Sequence, residues 1–586
     1  MISPKPLIVL AGCGLAHAAA ALADAQALYR EVVRSTDAVP AGVPGFDPAS
    51  DTFPFAGQLS LHVIDDDGRV TFATITQPSF QGTILSVWTA DPDGTRRLQL
   101  AAGQAHPALP TVTINRLAAP FATLDGSLGV TALVGPDNDR AVFLAPASER
   151  VHPFVIQDGN PAGPPGTENI VDFDDLALGP GGRVVVAGDL QTGPGSGQGG
   201  FFTGTIGTGL SLRSGPFFEI DFEGEDLRLS ETDSVEIDAG GNLLVNGRSS
   251  AGFGGPDRGE TVASLPAFEF TGTLLALDGE LAPGPTFIPP LRHDRPGNIR
   301  LADNGIAAFR SDDAIFVASA PEFPNLPEVG FVTGNQGDVP GIGILQGEPI
   351  VWQSIGAPAL STSGNLAFTG SFEARSRPSD VFGTGVWRMR PDGEPELLAK
   401  TGDPVPGSPG LTLFIISAPK INDKNQVVFT ASFADRGAPV LSSGGLFAAT
   451  ADGTIKPIAV IGTPVDLDPR PGTADLRDVA QIAFLATDFS ATRELTTFNN
   501  NGEVSFALLE DANTSSLVVA QIEPECSPAD LVFPFGVLSQ LDVAEFVARF
   551  FADDPRAARL AEPFEVVSQL DVAEYLELFF AGCPSD

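Results

Sequence analysis

Methionine and tyrosine occur twice each in this chain of 586 residues, tryptophan and cysteine three times, and lysine only at Lys5, Lys400, Lys420, Lys424 and Lys456. The five histidines (His17, His62, His106, His152, His293) are scattered and form neither HExxH nor a paired ligand spacing, which argues against a zinc centre. There is no GxSxG elbow, and no lysine closes a glycine-rich phosphate loop. One GxGxxG match exists, GSGQGG at residues 195–200, but it lies in a glycine-heavy stretch between strands and lacks the helix that a dinucleotide site requires. Basic residues number 33 against 73 acidic ones, giving a formal charge of -40. Such a surface repels phosphate backbones and anionic lipid, so nucleic acid is excluded as a partner. Beyond the first residues no apolar run is long enough to span a bilayer.

What is abundant is glycine (65), proline (51) and phenylalanine (41), in a chain that is 43% hydrophobic. Frequent turns and few helix signals indicate an all-β body with a large core. The opening MISPKPLIVLAGCGLAHAAAALADAQ has a charged start, an apolar stretch and small residues at Ala21, Ala23 and Ala25. This is the layout of an export signal over residues 1–25. Leu10-Ala11-Gly12-Cys13 offers a rival reading in which Cys13 carries a lipid, but the apolar run continues past it. The expected location is therefore secreted or cell-surface.

A signature of turn residues followed by alternating apolar residues recurs through the body: DDDGRVTFA from Asp65, GPGGRVVVA from Gly179, DAGGNLLVN from Asp238, ADNGIAAFR from Ala302, STSGNLAFT from Ser361, NDKNQVVFT from Asn422 and NNNGEVSFA from Asn499, with a weaker DGSLGVTAL from Asp125. Each reads as a turn feeding a strand with one buried face. A second signature of two strands about a glycine turn follows, so one unit is about four strands in roughly 60 residues. The last unit lacks its second half, and YREVVRSTDAVPAGVPG from Tyr29 supplies it at the other terminus. A ring closes by such an exchange and a linear solenoid does not. The expectation is a closed β-propeller over residues 29–522, with eight blades, or seven if the degenerate region from Gly179 to Gly284 is overcounted.

The tail at residues 526–586 holds two copies of one unit, LVFPFGVLSQLDVAEFVARFFADD from Leu531 and LAEPFEVVSQLDVAEYLELFFAGC from Leu560. Val543, Phe546, Val547 and Phe550, and then Val572, Tyr575, Leu576 and Phe579, fall at helical spacing on one face. Ser539 and Ser568, each three residues before Asp542 and Asp571, read as helix caps. So small a core needs a staple, and Cys526 and Cys583 bracket it. In an exported protein their oxidation would contribute about 4 kcal/mol in the chain-entropy model.

On these motifs the body resembles the bacterial tandem-repeat family named for its NxxGxxAF signature, with NDKNQVVF, STSGNLAF and FNNNGEVSF as the nearest matches. That resemblance implies an exported, variably anchored layout and no substrate. The tail, duplicated, bracketed by cysteines and ending in Gly-Cys, resembles a dockerin, which implies an anchoring role toward a cohesin-like or other surface protein. A dockerin calcium loop ending at Asp542 or Asp571 would place Leu531, Phe533 and Phe535, or Leu560, Glu562 and Phe564, at ligand positions. Apolar side chains cannot coordinate calcium, so metal binding in the tail is expected to be weak or lost, and both aspartates read as helix-start residues.

Among the acidic clusters are Asp65-Asp66-Asp67, which occupies the repeated turn and reads as solvated, and Asp172 with Asp174 and Asp175. Asp221, Glu223, Glu225 and Asp226 have no repeat explanation and are the candidate calcium ligands. Trp88 and Trp387 share a repeat position and belong to blade cores; Trp352 has no counterpart. The leading expectation is a non-enzymatic propeller that binds an extracellular protein or glycan. The alternative is a hydrolase or lyase using a carboxylate pair in the propeller pocket. Carboxylates from several blades converging on the axis would favour the alternative. A purely structural surface-layer component, self-associating without its tail, is the third option.

Overall fold

The computed structural model describes the chain from Leu28 to Ile522 apart from residues 40–60, 157–168, 281–292, 319–328, 485–496 and shorter loop segments, and in the tail only Val543, Phe546, Val547, Val572 and Leu576. The strands form eight blades. Blade 1 comprises His62–Ile64, Val70–Ile75, Ile84–Ala90 and Arg96–Ala101. Blade 2 comprises Leu109–Ala122, Ser127–Val134, Asp139–Pro146 and His152–Ile156. Blade 3 runs from Asn169–Gly179 through Arg183–Gly193 and Ser196–Thr205 to Gly209–Ser214. Blade 4 runs from Glu225–Ile237 through Leu243–Ala251 and Asp257–Leu265 to Thr271–Leu277. In blade 5 the strands are Pro296–Leu301, Ala307–Ser311, Ala314–Ala318 and Val329–Gly334. In blade 6 they are Glu348–Ile355, Leu366–Ala374, Phe382–Met389 and Glu396–Lys400. Blade 7 has Leu411–Ile416, Val427–Asp435, Leu441–Ala449 and Ile455–Val460.

Blade 8 joins the two ends of the body. Gln481–Ala483, Glu503–Leu509 and Ser515–Gln521 are completed by Leu28–Arg34, which pairs antiparallel with Ser515–Gln521 from Leu28↔Gln521 to Arg34↔Ser516. The unit divided between the termini is thus one sheet, and the blade count is eight. The region that made seven conceivable holds two blades. Its repeat is obscured because Glu219–Phe222 pairs antiparallel with the first strand of blade 4 and parallel with the last, closing that blade into a barrel.

The signature residues explain both the turn and the core. The fourth turn position has φ of 73° at Gly68, 89° at Gly364 and 82° at Gly502, and asparagine takes φ 59° there at Asn425, a conformation in which side chains other than asparagine and aspartate are strained. Seven residues after five of these turns begin, Phe72, Phe309, Phe368, Phe429 and Phe506 are all 0% exposed. Burial of one such ring is worth about 3 kcal/mol, so the phenylalanine excess is core. Trp352 is buried too and meets Trp387 edge-on at 4.6 Å between ring centres. It is therefore no glycan platform.

In the tail the five described residues are each in helical conformation, but no complete helix is described there. Phe546 is buried, whereas Val547 and Leu576, expected on the packed face, are 43% and 41% exposed. An α-helical dockerin-like domain is therefore not part of the described fold. Cys13, Cys526, Cys583, Ser539, Asp542, Ser568 and Asp571 lie outside the described residues. No helix among the described residues is long and apolar enough to cross a membrane.

Candidate functional site: the axial ring of turns

Each signature turn links the first strand of its blade to the second, and the eight turns meet around the axis. The first turn residue closes its own turn: Asn422 Oδ1 accepts from the Gln426 amide at 3.0 Å, Asn499 Oδ1 from the Glu503 amide at 2.8 Å, and Asp65 Oδ1 from the Arg69 amide at 2.9 Å. Asparagine has a donor left over, and it crosses to the next blade. Asn422 Nδ2 donates to the Asn499 carbonyl at 3.2 Å and Asn499 Nδ2 to the Asp65 carbonyl at 2.8 Å.

Other residues of the turns, and of the strand ends beside them, continue the ring. The Asn500 amide donates to Asp66 Oδ1 at 2.8 Å, and the Asp66 amide to the Leu124 carbonyl at 2.7 Å. Asp125 Oδ2 accepts from the Gly181 amide, and Glu236 Oε2 from the Leu301 amide at 2.6 Å. The Asp303 amide reaches the Thr362 carbonyl at 3.0 Å, the Ser363 amide reaches Asp423 Oδ1 at 2.7 Å, and the Asp423 amide reaches Asn500 Oδ1 at 2.9 Å. At the junction between blades 3 and 4 it is Gly179 that lies close against Ile237.

These turns enclose a cavity of about 270 Å³ to which all eight blades contribute. Carboxylates reach it from blades 1, 2, 4 and 5 (Asp66, Asp125, Glu236 and Asp303), against two cations, Arg300 and Lys420. The convergence that distinguishes the two functional expectations is thus present, but its members are not equivalent. Asp66, Asp125 and Glu236 accept hydrogen bonds from neighbouring turns, as above. No hydrogen bond among the described residues reaches the Asp303 carboxylate. Burial, and then repulsion from Asp423, Asp238, Asp125 and Asp66, pushes its pKa up to about 6. Burial also raises Asp66, opposed by its bonds from Asn500.

The sequence singled out Asp65-Asp66-Asp67 only as solvated turn residues. Asp65 is in fact 2% exposed and Asp66 half-buried. Asp125, Glu236, Arg300, Asp303 and Lys420 were not singled out for this site, although each lies within or beside a signature, so superposing the repeats could have brought them to one end of the axis. The calcium candidates lie elsewhere. Asp221 pairs with Asp226 and Phe222 with Glu225 across a hairpin at the start of the strand Glu225–Ile237, while Glu236 sits at its axial end. Glu223 lies outside the described residues, as do the side chains of its three companions. Among the described residues no group of three or more histidine, cysteine or acidic side chains is arranged to hold a metal ion.

The fold and its ring define an eight-bladed β-propeller with a small, net acidic axial pocket. The chain belongs to the family of unknown function DUF7453, whose match covers residues 64–527. No curated protein matches it. Among solved structures, the Dos1 propeller is similar at 9% identity, over 84% of this chain and 94% of that one, with a TM-score of 0.37. YCF48 from Cyanidioschyzon merolae is similar at 11% identity, over 69% and 96%, with a TM-score of 0.30.

Proposed function

We propose that this chain is an exported, non-enzymatic binding propeller whose axial pocket receives an ammonium group presented by an extracellular protein or glycan. The observation that carries the reading is the Asp303 carboxylate, which no hydrogen bond reaches among the described residues, in a cavity with four carboxylates and two cations. A cation entering there relieves the mutual repulsion of the ring, and about 270 Å³ suits a side chain or a small amine rather than a polymer segment. Titration of the full chain with 1,5-diaminopentane tests it. Binding should weaken at least tenfold in Asp303→Asn; an affinity unchanged by that substitution removes the pocket from the proposal.

The hydrolase or lyase reading draws on the same residue, because a carboxyl with pKa about 6 can serve as a general acid. It needs a second free carboxylate as nucleophile or base, and the other acids lining the pocket are held by turn amides or Arg300. Binding is therefore preferred. Turnover of a glycoside panel that vanishes in Asp303→Asn would reverse the preference.

Attachment belongs to the same proposal. The tail, by its resemblance to a dockerin, docks on a cohesin-like or other surface protein, with Cys526 and Cys583 joined and the repeats starting at Ser539–Asp542 and Ser568–Asp571. Loss of envelope retention on deleting residues 526–586 is the expected result. Calcium at Asp221, Glu223, Glu225 and Asp226 predicts a melting temperature that falls in chelator.

A further inference from the structure

Three of the ring's first turn positions can be compared directly. Asn422 and Asn499 each use Oδ1 for their own turn and Nδ2 for the next blade's carbonyl. Asp65 stands at the same position in blade 1 and keeps the first of these bonds, with Oδ1 on the Arg69 amide. An ionised carboxylate has no hydrogen for the second. Asp65 Oδ2 nevertheless points the same way: a Cβ built on Gly126, in the turn of blade 2, would lie 3.2 Å from it. The equivalent acceptor in that turn is the Thr123 carbonyl.

We propose that Asp65 is an acid-operated latch between blades 1 and 2, which on protonation acquires the cross-blade donor that asparagine supplies permanently in blades 7 and 8. The proposal is independent of ligand binding, since Asp65 does not line the axial cavity. The charged groups around it act in both directions. On its own turn Arg69 lies 3.3 Å away, Asp67 also engages Arg69, and Asp66 follows it in sequence. Asp91, just after the third strand of blade 1, competes for Arg69 at 3.6 Å. From blade 8 come Arg30, whose guanidinium donates to the Gly68 carbonyl at 2.7 Å, and Glu503, which is 2% exposed with one carboxylate oxygen unpartnered among the described residues. From blade 2 comes Asp125, bound to the Gly181 amide. Burial outweighs Arg69 and pushes the Asp65 pKa up to about 7, and Glu503 is raised as well, again chiefly by burial.

The sign follows. A carboxyl raised in the folded state contributes stability that is complete below its unfolded value near 4 and is lost as pH rises through about 7. Melting of the full chain should be followed from pH 6.5 to 8.5 in wild type and in Asp65→Asn. The variant is expected to melt about 2 °C higher than wild type at pH 8.5 and to show a smaller fall across the range. Hydrogen exchange in segments covering residues 61–70 and 121–134, corrected for intrinsic rates, should accelerate several-fold between pH 6.5 and 8.5 in wild type only. The reciprocal variant Asn422→Asp should acquire a pH dependence of the same sign. An Asp65→Asn protein that melts lower than wild type at pH 8.5, or whose two segments exchange with the wild-type pH profile, overturns the latch.

Discussion

At the axial turns, blades 6, 7, 8 and 1 are joined by asparagine amides, whereas blades 3 and 4, which share an apolar core, approach there through a glycine. On the first side Asn365, Asn422 and Asn499 each donate to a carbonyl of the next turn, at 3.3, 3.2 and 2.8 Å. On the second the turn is Gly179-Pro180-Gly181-Gly182, and Gly179 lies so close to blade 4 that a Cβ there would sit 2.7 Å from the Ile237 carbonyl oxygen. Both turns are tight, so asparagine is not needed to make the turn. Its use is to couple neighbouring blades, and where the signature decays a close steric fit takes over that coupling.

The largest test of this contrast is Asn499→Ala. The side chain is fully buried, accepts from two amides and donates to both the Asp65 carbonyl and Glu503. Its loss leaves several buried groups unsatisfied at once and should destabilise by about 3 kcal/mol in denaturant unfolding. A loss below about 1 kcal/mol would show that the polar ring is decoration on a ring held by blade cores. Gly179→Ala addresses the other side and should cost about 2 kcal/mol, because the added methyl must displace backbone as well as the Ile237 side chain. Tolerance of that methyl would mean that blades 3 and 4 are not closely apposed.

The same contrast decides how much was legible beforehand. Phenylalanine at a fixed distance from five of the turns identified the strand and its buried face, and the half-unit at Tyr29 identified the ring, because both are written in local order. The role of Asn499 was readable only as a turn residue, since its second partner is 434 positions away. The axial pocket was harder still. Asp66, Asp125, Glu236 and Asp303 are ordinary surface acids until the circle closes and puts them in one another's field. Trp352 looked exceptional for lack of a repeat counterpart, yet its ring packs with Trp387 in the core of the same blade.

Asp65 and Asp303, pushed up to about 7 and about 6, favour the folded state as pH falls from 8 toward 6. His293, beside Phe309 and Phe316 in blade 5, is lowered by burial to about 4. Its contribution is present above about 6.5 and is lost as pH falls toward 4. The melting temperature should therefore rise on acidification from pH 8 toward about pH 4, with His293 offsetting part of that rise below about pH 6.5. Asp303→Asn should flatten the profile between about pH 6 and 4, where Asp65 and His293 then offset each other; a slope there equal to that of wild type would contradict this division.

The smallest expected effect is also the sharpest control. Arg248 in blade 4 pairs with Asp257 at 3.4 Å and Glu260 at 3.9 Å, but its side chain is 50% exposed. Arg388 in blade 6 is 3% exposed, and its guanidinium bonds Glu396 together with the Asn425 and Thr450 carbonyls of blade 7. Both are arginines with acidic partners in third or second strands, yet only one spans a junction out of solvent. Arg248→Ala should change stability by less than about 0.5 kcal/mol, since screening and side-chain entropy cancel most of an exposed ion pair. Arg388→Ala should cost several times more, because two inter-blade carbonyls and a carboxylate lose their donor together. If the two substitutions proved equal, buried cross-blade bonding could not be what distinguishes the asparagine-bearing half of the ring from the rest.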